Sequence, residues 1–163
     1  MRKILLALLA VLSTATLTQA AIAADTVYVI RHLQKADGTD PPLSADGVAN
    51  SQLLAARLAT SGIKAIFATP TQRAMQTGEP LAKQLGIAVT SYDPRDPNAL
   101  IKAIAAVNGA VLIVGHSNTV PDIVTRLGGA RVGPLRDQDY GTIFVVRPGS
   151  SAVEQIVLTS EMR

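Results

Sequence analysis

Two histidines, His32 and His116, are the only imidazoles in this 163-residue chain. Each follows a run of β-branched and apolar residues: Thr26-Val27-Tyr28-Val29-Ile30 before the first, Ala110-Val111-Leu112-Ile113-Val114 before the second. A run that ends in Arg31-His32 or Gly115-His116 reads as a buried strand delivering a polar group at its carboxyl end. In open α/β sheets that edge is where ligands bind. A third run, Ala65-Ile66-Phe67-Ala68, ends in Thr69-Pro70, with Arg73 in the first turn of the helix that follows. If these strands are parallel, two arginines and two histidines converge on one pocket.

That set suits a phosphoryl group. An arginine presents a planar fork that matches phosphate oxygens in pairs. Transfer of the group is mostly positioning and charge stabilisation. One imidazole can act as nucleophile and form a covalent intermediate, and a second, protonated one can hold the oxygens as charge moves. Arg31, Arg73 and Asn118 are read as the phosphate-binding residues, and His32 and His116 as catalytic. Each motif alone has a structural explanation: Arg73 as a solvated helix residue, His116 as a bonded histidine at a helix start. Their order along the chain, each at a strand end, is what argues for a site.

The elements that must position these residues alternate. A strand at 26–31 leads into a loop rich in Asp, Gly and Pro, from Lys35 to Pro42. Ser44 is placed to cap a helix, with Asp46 in its first turn. The helix runs to about Thr60, with Val48, Leu54, Ala55 and Leu58 as its apolar stripe and Gly62 ending it. Strand two is Ala65–Ala68. The next helix starts near Pro70 or Thr71, and Pro80 is expected to kink it or divide it in two. Ile87 to Ser91 is strand three. Asp93-Pro94-Arg95-Asp96-Pro97 is a loop, and Asn98 to Val107 a helix. Strand four is 110–114, and a short helix after Asn118 ends at Gly128-Gly129. Tyr140 to Val146 and Val153 to Leu158 read as two last strands. The pattern predicts an α/β fold, a three-layer α/β/α sandwich around a mostly parallel sheet.

Composition narrows the class. Met1-Arg2-Lys3 is a basic head, Ile4 to Leu12 an apolar stretch, and Ala21-Ile22-Ala23 a small-residue cleavage site. Residues 1–23 are expected to be a secretory signal peptide and 24–163 one mature domain, periplasmic or secreted, with no membrane span after cleavage. The formal charge of +3 includes Arg2 and Lys3. Without them 13 basic residues stand against 12 acidic ones, in no cluster, so no nucleic-acid partner is expected. The chain has no cysteine, which rules out disulfides and thiolate metal sites. Two histidines are too few for a typical zinc site. No metal and no cofactor are expected.

The chain resembles the histidine phosphatase superfamily, with its phosphoglycerate-mutase-like fold. The resemblance covers nearly all of the mature chain. It is carried by Val29-Ile30-Arg31-His32, Leu43-Ser44-Ala45-Asp46-Gly47, Ala68-Thr69-Pro70-Thr71-Gln72-Arg73-Ala74 with Thr77, and Val114-Gly115-His116-Ser117-Asn118-Thr119. It implies that His32 is phosphorylated during turnover and that Arg31, Arg73 and His116 complete the phosphate pocket, without metal. Two departures stand out. The family usually has a small residue after Arg-His; here Leu33 follows, with bulk that could narrow or reshape the site, while Lys35 reads first as a solvated loop lysine and second as added charge at the site. Members that place an Asp directly after the second histidine use it as general acid; here Ser117 stands there. Asp93 and Asp96, just after strand three, are the candidate acids, Asp93 first. Without a placed acid, phosphoramidates or activated phosphates suit the site better than alkyl esters. The expected activity is a secreted phosphohydrolase acting through a phosphohistidine on a phosphorylated small molecule or phosphoprotein. The alternative is a non-catalytic phosphate-binding module of the same fold.

Overall fold

The computed structural model describes residues 24–158. The elements in chain order are β1 (Val27–Arg31), α1 (Ala45–Leu58), β2 (Ile63–Ala68), α2 (Gln72–Leu85), β3 (Val89–Ser91), α3 (Pro97–Ala105), β4 (Ala110–Gly115), α4 (Thr119–Arg126), β5 (Thr142–Val146) and β6 (Val153–Val157). The strands form one six-stranded sheet in the order β3-β2-β4-β1-β5-β6. β3, β2, β4 and β1 are mutually parallel, whereas β5 runs antiparallel to β1 and β6 antiparallel to β5.

This order follows from the sequence and from chirality. β1 and β4 are apolar throughout their cores because both faces are covered. Val27 and Val29 of β1 and Val111 and Ile113 of β4 face one side, and Ile30, Leu112 and Val114 the other. α1 and α2 pack on the second side, with Leu54, Leu58 and Leu81; α3 and α4 pack on the first, with Leu100, Ile104 and Ile123. The chain steps one way along the sheet from β1 to β3, then reverses to β4. Right-handed crossovers put the helices before and after such a reversal on opposite faces.

Local signals set most of the boundaries. The Ser44 hydroxyl accepts from the Gly47 N–H at 3.2 Å and caps α1. The buried face of α1 is Gly47, Ser51, Leu54, Ala55 and Leu58. Val48 is half exposed and lies off that face, a correction to the stripe read from sequence. α1 ends at Leu58, and Gly62 (φ +69°) makes the turn into β2. β2 starts two residues before the expected Ala65, and β3 is only Val89–Ser91, at the sheet edge.

Pro80 neither breaks nor divides α2, which runs unbroken from Gln72 to Leu85. The ring removes one intrahelical bond. Against that, Ala74, Thr77, Gly78, Leu81 and Ala82 form a continuous buried face. Gly78 lets the helix ride close to the sheet, since a Cβ there would lie 3.0 Å from Ile66 Cγ2.

Candidate active site

The parallel strands deliver the expected ends to one edge. Arg31 is in register with Gly115, and Ala68 with Val114. The ladder runs one step further: His32 N–H donates to Gly115 O at 2.8 Å, and Thr69 N–H to Val114 O at 3.2 Å. His32 and His116 therefore face each other, ring centroids 5.2 Å apart and planes at 67°.

The tautomer of His32 follows from its partners. Nδ1 lies 2.8 Å from the Leu33 carbonyl, which can only accept, so Nδ1 carries the proton. Nε2 is left with its lone pair and accepts from Arg73 Nε at 3.2 Å. Burial, above all, holds the His32 pKa down at about 4, with His116, Arg73 and Arg31 adding to it against the Leu33 bond. His116 is also held at about 4, by burial and then by the same arginines. Its Nε2 lies 2.8 Å from Thr69 Oγ1, and its backbone N–H donates to Thr119 Oγ1 at 2.8 Å. Near neutral pH both rings are uncharged.

Arg31 is 6 % exposed, and its guanidinium is clamped. Nη1 donates to the carbonyls of Arg136 (2.7 Å) and Asp139 (3.5 Å), and Nη2 to Tyr140 Oη at 3.4 Å. The group lies over the Tyr140 ring, 4.3 Å from its centroid. Its Nε is buried with no hydrogen-bond partner among the described residues. Arg73, in the first turn of α2, reaches Asp40 through Nη1 at 3.4 Å. Asp40 also accepts from the Gln72 N–H, and so caps α2 where Thr71 makes no side-chain cap.

Thr77 ties the site to α2. Its hydroxyl accepts from the Leu33 N–H at 3.1 Å and donates to Arg73 O at 2.7 Å. Leu33, expected to shape the phosphate pocket, is a core residue. Its side chain is fully buried in the core under α1 and α2, with Leu43 and Leu54, because the chain turns inward directly after His32. The Lys35 side chain is exposed, on a backbone bridge to Leu43.

Of the residues singled out in sequence, the fold brings Arg31, His32, Arg73 and His116 together. Asn118 stands exposed at the start of α4, with no side-chain capping bond. Asp93 is turned away to Arg95, which it holds at 2.9 Å, and those bonds keep its carboxyl below the usual range. Asp96 caps α3 through the Ala99 N–H. Among the described residues no hydrogen bond or ion pair joins either aspartate to the histidines. Tyr140 was not found from sequence. It reaches the site because β5 is antiparallel, which puts the loop leading into β5 at the carboxyl edge of β1.

The family model of the histidine phosphatase superfamily (branch 1) matches residues 27–95, a span that holds Arg31, His32 and Arg73. No curated protein matches the chain by sequence. Solved structures match it in fold. The protein histidine phosphatase SixA complexed with tungstate is 22 % identical, with a TM-score of 0.62 over 81 % of this chain and 96 % of that one. The alpha-ribazole phosphatase of Shigella flexneri is 16 % identical, with a TM-score of 0.60 over 83 % and 96 %. A mycobacterial glucosyl-3-phosphoglycerate phosphatase is 12 % identical, with a TM-score of 0.61 over 82 % and 97 %. At these identities the solved structures share the fold.

Proposed function

The chain belongs to the histidine phosphatase superfamily, and from that premise we propose that it is a metal-independent phosphohydrolase working through a phosphohistidine at His32. The observation that carries this reading is the tautomer of His32: an unprotonated Nε2, beside two arginines and a second imidazole. In the first step the Nε2 lone pair forms a bond to phosphorus. The bond to the leaving group breaks, and the leaving atom departs with its electron pair. In the second step water attacks the phosphohistidine, the P–N bond breaks, and inorganic phosphate is released with His32 restored.

Arg31 Nε, a buried donor without an acceptor, suits a phosphoryl oxygen. Arg73 moves its Nε from His32 to the same group. His116 is a hydrogen-bond donor from one ring nitrogen even when neutral, and a doubly negative phosphoryl group raises its pKa against the arginines. Asn118 is a candidate contact at the rim. Among the described residues there is no group of three His, Cys, Asp or Glu arranged to hold a metal.

The substrate reading is a phosphoramidate, such as phosphohistidine, or an activated phosphate ahead of an alkyl ester. Ser117 follows His116, and Asp93 is ion-paired and held ionised, so neither supplies a proton to a poor leaving group. Both a phosphoprotein and a phosphorylated small molecule fit this chemistry. Export to the periplasm or beyond is part of the proposal. It rests on the pattern in residues 1–23, which lie outside the described residues. No described helix is long and apolar enough to cross a membrane.

The test is turnover of p-nitrophenyl phosphate and of a phosphoramidate by the protein without metal, with His32→Ala as control. Turnover lost in the variant, with acid-labile phosphate trapped on the active protein, supports the mechanism. No turnover of either compound, with phosphate still bound, overturns it in favour of the binding module.

A further inference from the structure

An open groove of about 570 Å³ is lined by Ser117 and Asn118, the two residues after His116, a volume within the range of small-molecule sites. Ser117, Asn118 and Pro121 form one wall. Arg131, Val132 and Pro134 form the other, on the loop that goes on to clamp Arg31. The groove therefore lies between the segment that directly follows His116 and the loop that goes on to hold Arg31.

Among the described residues Arg131 is the only charged side chain lining it. Other arginines are taken: Arg126 by Asp122 at 2.7 Å, Arg136 by Asp139 at 3.0 Å and Arg95 by Asp93 at 2.9 Å. Arg131 makes no hydrogen bond or ion pair among the described residues, and no carboxylate lines the groove. Its backbone is nevertheless held. Ala130 N–H donates to Ser151 O at 2.8 Å, and Gly129 is packed so closely that a Cβ would lie 3.0 Å from Val124 O. Val132 and Leu135 pack on the core under α3 and α4. A free guanidinium on a seated loop, facing a carboxylate-free groove, is arranged to receive an anion.

The amino end of α4 adds little to this. The Thr119 and Val120 N–H groups are both used by His116 O, and Pro121 has none, so the charge of the groove rests on Arg131.

We propose that this groove binds the leaving-group side of the substrate and that Arg131 selects leaving groups carrying a second anion, a carboxylate or phosphate. The inference rests on the phosphatase reading for the word substrate, but it is tested separately from it. The probes are 4-carboxyphenyl phosphate and its uncharged, size-matched partner 4-carbamoylphenyl phosphate. Binding is measured by calorimetry in the His32→Ala protein, where neither compound is consumed. An exposed ion pair is worth up to about 1 kcal/mol, so the carboxylate is expected to bind about three- to fivefold tighter. Adding Arg131→Ala should bring the ratio to one. Arg131→Glu should reverse it, and Arg131→Lys should keep most of it. Affinity for inorganic phosphate should stay within twofold in all three. A ratio that Arg131→Glu leaves unchanged overturns the groove assignment, even where turnover by the unmodified protein has established the phosphatase. Failure of all three compounds to bind overturns both.

Discussion

Tyr140 holds the Arg31 guanidinium from two directions, by its ring at 4.3 Å and its hydroxyl at 3.4 Å. The two contacts can be separated. Tyr140→Phe keeps the face and removes the weaker, longer bond, and should change phosphate affinity less than twofold. Tyr140→Leu removes the face as well. A partly buried cation over an aromatic ring is worth about 0.5–2 kcal/mol, so phosphate should bind roughly two- to thirtyfold more weakly. Calorimetric titration with phosphate checks both; equal losses in the two variants would show that the ring face carries nothing. At this scale the sequence showed the histidines and arginines well, because each ends an apolar run or opens the helix after one. It hid the partners Tyr140 and the Thr69 hydroxyl, since no spacing along the chain reports a contact 109 or 47 residues away.

At the level of elements, α2 is the post against which the site is braced. Thr77 accepts the Leu33 N–H one residue past His32, in a buried place. Thr77→Val is nearly isosteric and leaves that N–H without a partner. The expected loss is about 1–3 kcal/mol of stability, read from urea unfolding, with a fall in turnover greater than the fold population explains. Thr77→Ser keeps the hydroxyl and should recover most of the turnover. Pro80 sits in the same helix at a place where the ring removes a bond to the Gln76 carbonyl. Pro80→Ala should therefore stabilise the protein by up to about 2 kcal/mol, read as a higher Tm, unless the ring's packing outweighs the restored bond. The sequence overstated the proline because a local propensity was weighed without the sheet beneath Gly78. It read the Ser44 cap correctly because that bond lies within three residues.

Across the whole molecule, the two buried histidines make stability depend on pH. Their ordinary pKa is 6.5, and the fold holds both at about 4. Between those values the unfolded chain binds protons that the folded one refuses. Stability is therefore full above about pH 6.5 and falls as pH drops towards 4. Tm measured from pH 7.5 to 5 should decline, and His116→Asn should flatten part of that decline. An unchanged slope in the variant would show that His116 contributes nothing to it. Saturating phosphate should raise Tm at pH 7, since an anion bound only by the folded state shifts the equilibrium towards it.

The sequence by itself determined the strand ends, the alternation of elements and hence the α/β layers, because these depend on apolar periodicity and on capping bonds between near neighbours. It also placed two histidines and two arginines at positions that a parallel sheet must bring to one edge. Only the tertiary structure decided that Leu33 turns into the core while Asp93 turns to Arg95, and that β5 lies antiparallel beside β1 with Tyr140 at its start. It alone set Arg131, without a partner among the described residues, in one groove with Ser117 and Asn118. Those outcomes depend on which segments meet in space, and that is set by packing the whole chain on its two cores.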